Sequence, residues 1–114
     1  EVESVLNEHP AVAASAVAAT PDPVRGDEVL ACIVLRKVPG LPPQDRIAIS
    51  IVKHALVRLA YYKAPGYIAF VDALPLTSSQ KIQRSELREL ARTLPGTRNC
   101  IDTRAMKRRR KAVT

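Results

Sequence analysis

The sequence has no tryptophan, one phenylalanine and three tyrosines among its 114 residues, and none of these rings lies among the cations that crowd its C-terminal end. That argues against a stacking platform for single-stranded nucleic acid, which alternates rings with positive charge. No apolar stretch is long enough to span a bilayer, and no signal peptide opens the chain, so the expected location is cytoplasmic. The two cysteines, Cys32 and Cys100, match no metal-ligand spacing. Cys32 sits in the apolar run "EVLACIVLR", where a buried, inert thiol is the simpler reading. No internal repeat is present.

With 46% hydrophobic and 25% charged residues, the chain has the composition of one ordinary soluble domain. A domain of this size can bury a modest core without metal or disulfide staples. The net charge of +7 is unevenly placed, since the stretch from Arg98 onward carries +6 and residues 1–97 only +1. The basicity therefore belongs to the C-terminal segment. The chain opens on Glu1 and runs straight into helix-like sequence, so it is expected to be a piece of a longer protein.

"EVESVLNEHP" places Val2, Val5 and Leu6 on one helical face and stops before Pro10. "AVAASAVAAT" fits helix or strand, and the short gap to the next strand favours a strand. "PDPVRGDE" is an exposed turn, and "EVLACIVLRK" reads as a central strand buried on both faces. Asp45 is placed to cap a helix in which Ile47, Ile51, Leu56 and Leu59 recur near helical spacing. "YYKAPG" breaks that helix, "YIAFVD" is a short strand with Ile68 and Phe70 on one face, and Ser85 is placed to cap a last helix, "SELRELA". The fold expected is a small compact α+β domain, with helices against a sheet of about three strands over residues 1–94. Residues 95–114 are expected to form a basic, flexible tail.

"LPLTSSQKIQR" sets Lys81 in a hydroxyl-rich loop between the last strand and the last helix. Pro75 stiffens the approach, and Thr77, Ser78 and Ser79 are small donors and acceptors. An ammonium at such a tip could neutralise a phosphate or a carboxylate brought to it. A solvated loop lysine explains the same residues, and the loop alone does not choose.

The flanks do. "LAYYKAPGYIAFVDALPLTSSQKIQRSELREL" resembles the end of the adenylate-forming enzymes (acyl-CoA synthetases, peptide-synthetase adenylation domains and luciferases). Tyr62, Lys63, Pro65, Asp72, Leu74, Pro75, Thr77, Lys81, Arg84 and Leu87 all fit that family's pattern. "EVESVLNEHPAVAASAVAATPDPVRGDEVLACIVL" looks like the same domain's first helix and hairpin, so the resemblance covers roughly residues 1–92.

The resemblance implies a mobile C-terminal domain in a two-step acid–thiol ligase. A carboxylate attacks the α-phosphate of ATP, giving an acyl-adenylate and pyrophosphate, and a thiol then displaces AMP. Lys81 matches the family's lysine of the first step, with Thr77, Ser79 and Gln80 beside the adenylate. The domain then rotates to present another face to CoA, for which Arg25 and Gly26 of the "PDPVRG" turn are candidates, with Lys53 and Arg58 as substitutes for a basic residue the family carries near Leu56. Ala64 is small where related enzymes carry a larger residue near the pantetheine arm. ATP, with Mg2+, and CoA enter as substrates beside a carboxylic acid, and no prosthetic group is expected. The partner is the protein's own N-terminal domain, which holds the ATP-gripping loop and the acid pocket, so the fragment alone is expected to be inactive. The "PDPVRG" stretch leans toward free CoA and a medium-chain or aryl acid. The alternative is an adenylation domain that loads a carrier protein. One departure stands out: Gln80 occupies the position before the lysine, where the family usually has glycine.

The remaining candidates have simpler explanations. His9 ends a helix, where the dipole favours an imidazolium, and neither His9 nor His54 has an acid or cysteine partner at a telling spacing. Asp27 and Glu28 are adjacent on a strand and point to opposite faces, so solvation at the turn accounts for both better than an acid–base pair. Tyr61 and Tyr62 are expected to pack at a helix end. The run Lys107 to Lys111 could hold nucleic acid or acidic lipid through phosphate contacts, but a solubilising tail explains it more simply.

Overall fold

The computed structural model describes residues 1–24 and 26–107. In chain order its elements are α1 (Val2–Asn7), β1 (Val12–Asp22), β2 (Gly26–Leu35), α2 (Gln44–Arg58), a 3-10 turn (Tyr61–Lys63), β3 (Tyr67–Phe70), α3 (Arg84–Thr93) and β4 (Cys100–Asp102). The strands form one sheet in the order β1-β2-β3-β4. β1 and β2 are an antiparallel hairpin, β2 pairs parallel to β3 and β3 pairs antiparallel to β4. The parallel pair needs a long crossover, which α2 supplies.

Period-two alternation along β2 divides the core. Ala31 and Ile33 join Ile68 and Phe70 on the face covered by α1 and α2, where Leu6, Ile47, Ile51, Val52 and Ala55 close the layer. Leu30 and Cys32 join Tyr67 and Ala69 on the other face, beneath Leu87 and Ala91 of α3. β2 is thus covered on both sides, as its unbroken apolar run predicts. Each large aliphatic side chain buried here contributes about 1.5–3 kcal/mol. Ala69 pairs with Cys32 on one side and Cys100 on the other, so the two thiols flank the middle of a three-strand row.

The α+β class holds, with four strands in place of about three. The additional strand comes from the segment read as flexible tail, so a folded body ending at residue 94 omits part of the sheet. Beyond β4, Thr103 N donates to the Gly66 carbonyl (2.9 Å) and Lys107 is fully buried. Scattered cations hid Ile101 and Met106, whose side chains pack against the first core layer. Residues 108–114, with most of the basic run, lie outside the described residues, and the buried Lys107 cannot belong to an exposed cationic patch.

Both helix caps read from the sequence are corrected by two positions. α2 starts after Pro43, and Asp45 lies in its first turn, where its carboxylate still suits the helix dipole and accepts from the Arg46 N–H at 2.9 Å. α3 starts after Gln83, and the Ser85 hydroxyl donates to Gln83 Oε1 at 3.0 Å instead of capping the backbone.

Candidate functional site

Lys81 stands exposed on a miniature hairpin. Leu76 bridges Ile82, Thr77 N–H donates to the Lys81 carbonyl (2.7 Å) and Gln83 N–H donates to the Pro75 carbonyl (2.8 Å). Thr77 closes the tip as well. Its carbonyl accepts from Gln80 N–H (2.9 Å), and its Oγ1 accepts from Lys81 N–H (3.2 Å) and lies 3.1 Å from Ser79 Oγ. Leu74 and Ile82 root the hairpin in the layer under α3. The backbone of Lys81 is therefore fixed while its side chain reaches into solvent.

Gln80 adopts φ +70°, the only positive φ at a non-glycine position among the described residues. Glycine enters this region freely, whereas a side chain costs about 1–3 kcal/mol there. The tight return from Ser79 to Lys81 requires that conformation, which gives a physical reason for glycine before the lysine.

Thr77, Ser79, Gln80 and Lys81 are thus brought together. The residues proposed for CoA are not among them. Lys53 and Arg58 are exposed on α2, over the opposite face of the sheet from α3. Arg58 Nη1 donates to the His54 carbonyl at 3.0 Å, and its Nε lies 3.7 Å from Glu8 Oε1. Leu56 packs against the core and Ala64 is fully buried. Gly26, exposed at the start of β2, has φ +85°; Arg25 lies outside the described residues. Among the described residues no three His, Cys, Asp or Glu side chains gather as a metal site.

Four side chains near the 22–28 turn carry roles their sequence positions did not announce. Asp22 Oδ2 accepts from the Val24 N–H (3.1 Å), and its Oδ1 is 2.8 Å from Arg104 Nη1. Arg104 also grips Asp102 (2.7 Å) and lies 5.0 Å above the Tyr67 ring. Those hydrogen bonds, to Asp102 first and then Asp22, raise its pKa, while Arg104 lowers that of Asp102. Glu28 is buried against Lys107, with 2.6 Å between Oε1 and Nζ, so solvation at the turn holds only for exposed Asp27. No local pattern signals either ion pair, because the partners lie about 80 residues apart.

The reading of His9 is also corrected. His9 is buried, its Nδ1 accepts from the Ala11 N–H (3.0 Å) and its Nε2 lies 2.8 Å from Ser50 Oγ. An Nδ1 that accepts carries no proton, so the ring is neutral and not the dipole-stabilised cation expected. Burial, and then His54, lowers its pKa. The His54 ring packs edge-on against it at 5.5 Å and bonds the Val5 carbonyl through Nε2 (2.8 Å), which ties α2 to α1. Tyr61 and Tyr62 make an edge contact at 5.9 Å just beyond α2, and neighbouring Lys63 pairs with Glu1 at 2.8 Å.

Residues 1–81 match the family model described as the AMP-binding enzyme C-terminal domain. The chain belongs to that family. It is 47% identical over 88 residues to a mitochondrial acyl-coenzyme A synthetase of Rattus norvegicus, covering 77% of this chain and 15% of the relative. A 4-hydroxybutyrate–CoA ligase of Metallosphaera sedula is 51% identical over 89 residues, covering 78% of this chain and 15% of that protein. Among solved structures, a Brucella canis acyl-CoA synthetase superposes with a TM-score of 0.71 at 40% identity, over 79% of this chain and 16% of its own. An anthranilate–CoA ligase in complex with anthranoyl-AMP gives 0.72 at 38%, over 84% and 18%. This AMP-binding C-terminal domain thus spans about 15% of the length of the curated relatives it matches. No helix among the described residues is long and apolar enough to cross a membrane, and because several relatives are named as mitochondrial, a cytoplasmic location does not carry over from them.

Proposed function

We propose that the chain is the mobile C-terminal domain of an AMP-forming acyl-CoA synthetase and that Lys81 is its catalytic cation. The exposed Lys81 ammonium, carried on a hairpin whose tip Thr77 closes through both its backbone and its hydroxyl, carries the reading. When a carboxylate attacks the α-phosphate of ATP, two anionic groups approach and negative charge shifts toward the departing pyrophosphate. A cation already held in place stabilises that redistribution without reorganising at the moment of reaction. Thr77 and Ser79 offer hydroxyls beside the same position, and Gln80 offers an amide.

In the second step the CoA thiol attacks the acyl carbon and AMP leaves. The domain then turns and brings forward Gly26 and Arg25, with Lys53 and Arg58 as further candidates. The names of the relatives, CoA synthetases and CoA ligases, favour free CoA over a carrier-bound thiol. ATP and the acid are held by the N-terminal domain of the whole enzyme, in a soluble compartment that supplies ATP and CoA. Mg2+ enters with the nucleotide. The described residues offer it no ligand cluster, so no step here runs through it. No prosthetic group is required.

The test is Lys81→Ala in the full-length enzyme. Adenylation, followed by ATP–pyrophosphate exchange, should fall by about 100-fold or more, or about 3 kcal/mol. Thioester formation from supplied acyl-adenylate should be largely spared. Equal loss in both half-reactions would remove Lys81 from the proposed role.

A further inference from the structure

We propose that Arg104 and Lys107 are positioning residues for thioester formation, bracing Asp22 and Glu28 on either side of the hairpin turn; this rests on the reading that the turn faces CoA. The two cations sit three residues apart on one short segment and meet the carboxylates at the two ends of the turn. Arg104 Nη1 lies 2.8 Å from Asp22 Oδ1, and Lys107 Nζ lies 2.6 Å from Glu28 Oε1. Asp22 passes the constraint on, since its other oxygen accepts from the Val24 N–H inside the turn. The same segment grips the 64–66 turn, with Thr103 Oγ1 donating to the Pro65 carbonyl (3.1 Å) and Thr103 N to the Gly66 carbonyl. Gly66 is needed for this closure, because a Cβ there would overlap the Glu28 side chain.

Buried charge pairs are costly to desolvate and give little net stability compared with apolar residues, but they are directional, so they fix orientation. The side chains of Asp22, Glu28 and Lys107 are 3%, 2% and 0% exposed, so these contacts are made away from water. Arg104 is already engaged by Asp22 and Asp102, which suits it to bracing the turn and not to taking a phosphate. The clamp's two cations lie beyond residue 81, where the family model's match ends.

The experiment uses the full-length enzyme, with KM for CoA measured from supplied acyl-adenylate and adenylation measured by pyrophosphate exchange. Arg104→Gln should raise KM for CoA about tenfold, the equivalent of about 1.4 kcal/mol, and change adenylation by less than about twofold. Arg104→Lys should recover part of the loss. The double variant Glu28→Gln with Lys107→Met, which leaves no lone buried charge, should show the same CoA-selective effect. Arg25→Ala serves as the control for the turn itself. If Arg25→Ala raises KM for CoA while the clamp variants do not, the clamp has no positioning role. If Arg25→Ala also leaves it unchanged, the turn does not face CoA and the clamp proposal fails with that reading. Equal losses in both half-reactions would make the clamp structural only and overturn it.

Discussion

Lys107 Nζ and Glu28 Oε1 meet at 2.6 Å although 79 residues separate them, and neither side chain reaches water. Removing one member breaks a buried ion pair, which typically costs about 3–5 kcal/mol. Lys107→Met in the 114-residue chain should therefore lower the urea midpoint by that equivalent. Adding Glu28→Gln to it should recover a large part of the loss. A single variant as stable as the parent in urea would contradict the buried pairing.

Gln80 should behave asymmetrically under substitution. Glycine relieves the strain of φ +70° and loosens the unfolded chain by about 0.4–1 kcal/mol, so Gln80→Gly should be neutral or slightly stabilising. Gln80→Val places a β-branched side chain in the same backbone region and should cost about 1–2 kcal/mol more. Thermal melts of the two variants, compared with the parent, decide the matter. A valine variant that melts with the glycine variant would show that the loop does not hold this conformation.

Thr77→Val keeps the shape of the side chain and deletes the oxygen that accepts from Lys81 N–H. The loop is exposed, so the effect on stability should stay near 1 kcal/mol. In the full-length enzyme, adenylation should fall several-fold through kcat with little change in KM for ATP, and Thr77→Ser should restore it. Identical rates for the valine and serine variants would remove the hydroxyl from the argument.

His9 gives the domain an acid-side weakness. Its folded-state pKa lies below the ordinary imidazole value of about 6.5 because burial, and then His54, disfavour the cation. Above that value neither state binds the proton, and the neutral ring contributes its full stability. As the pH falls below it the unfolded chain takes up the proton first, so stability declines until the folded ring also titrates. His9→Gln should flatten the decline in unfolding free energy between about pH 7 and about pH 5. An unchanged slope would assign the effect to other groups.

The long patterned elements were legible because each carries its signal locally. β2 announces itself by seven continuous apolar positions, Val29 to Leu35, and α2 by helical spacing. What escaped the sequence depends on partners far along the chain. β4 has three residues and forms only because β3 offers an edge, and Glu28 looks like a turn acid until Lys107 arrives. His9 looked like a helix-end cation because Ser50 and His54, which surround it, lie on α2. The caps shifted because Pro43 and Gln83 already take extended backbone ahead of α2 and α3, which leaves Asp45 and Ser85 as the second residue of each helix.

The row Cys32–Ala69–Cys100 bears on redox chemistry. A whole strand lies between the two sulfurs, so their Cα atoms stand about 10 Å apart, two strand spacings, where a disulfide tolerates at most about 7 Å. Burial raises both thiols to about 11, which keeps them protonated and poorly nucleophilic. An oxidant therefore cannot staple this sheet through its own two cysteines.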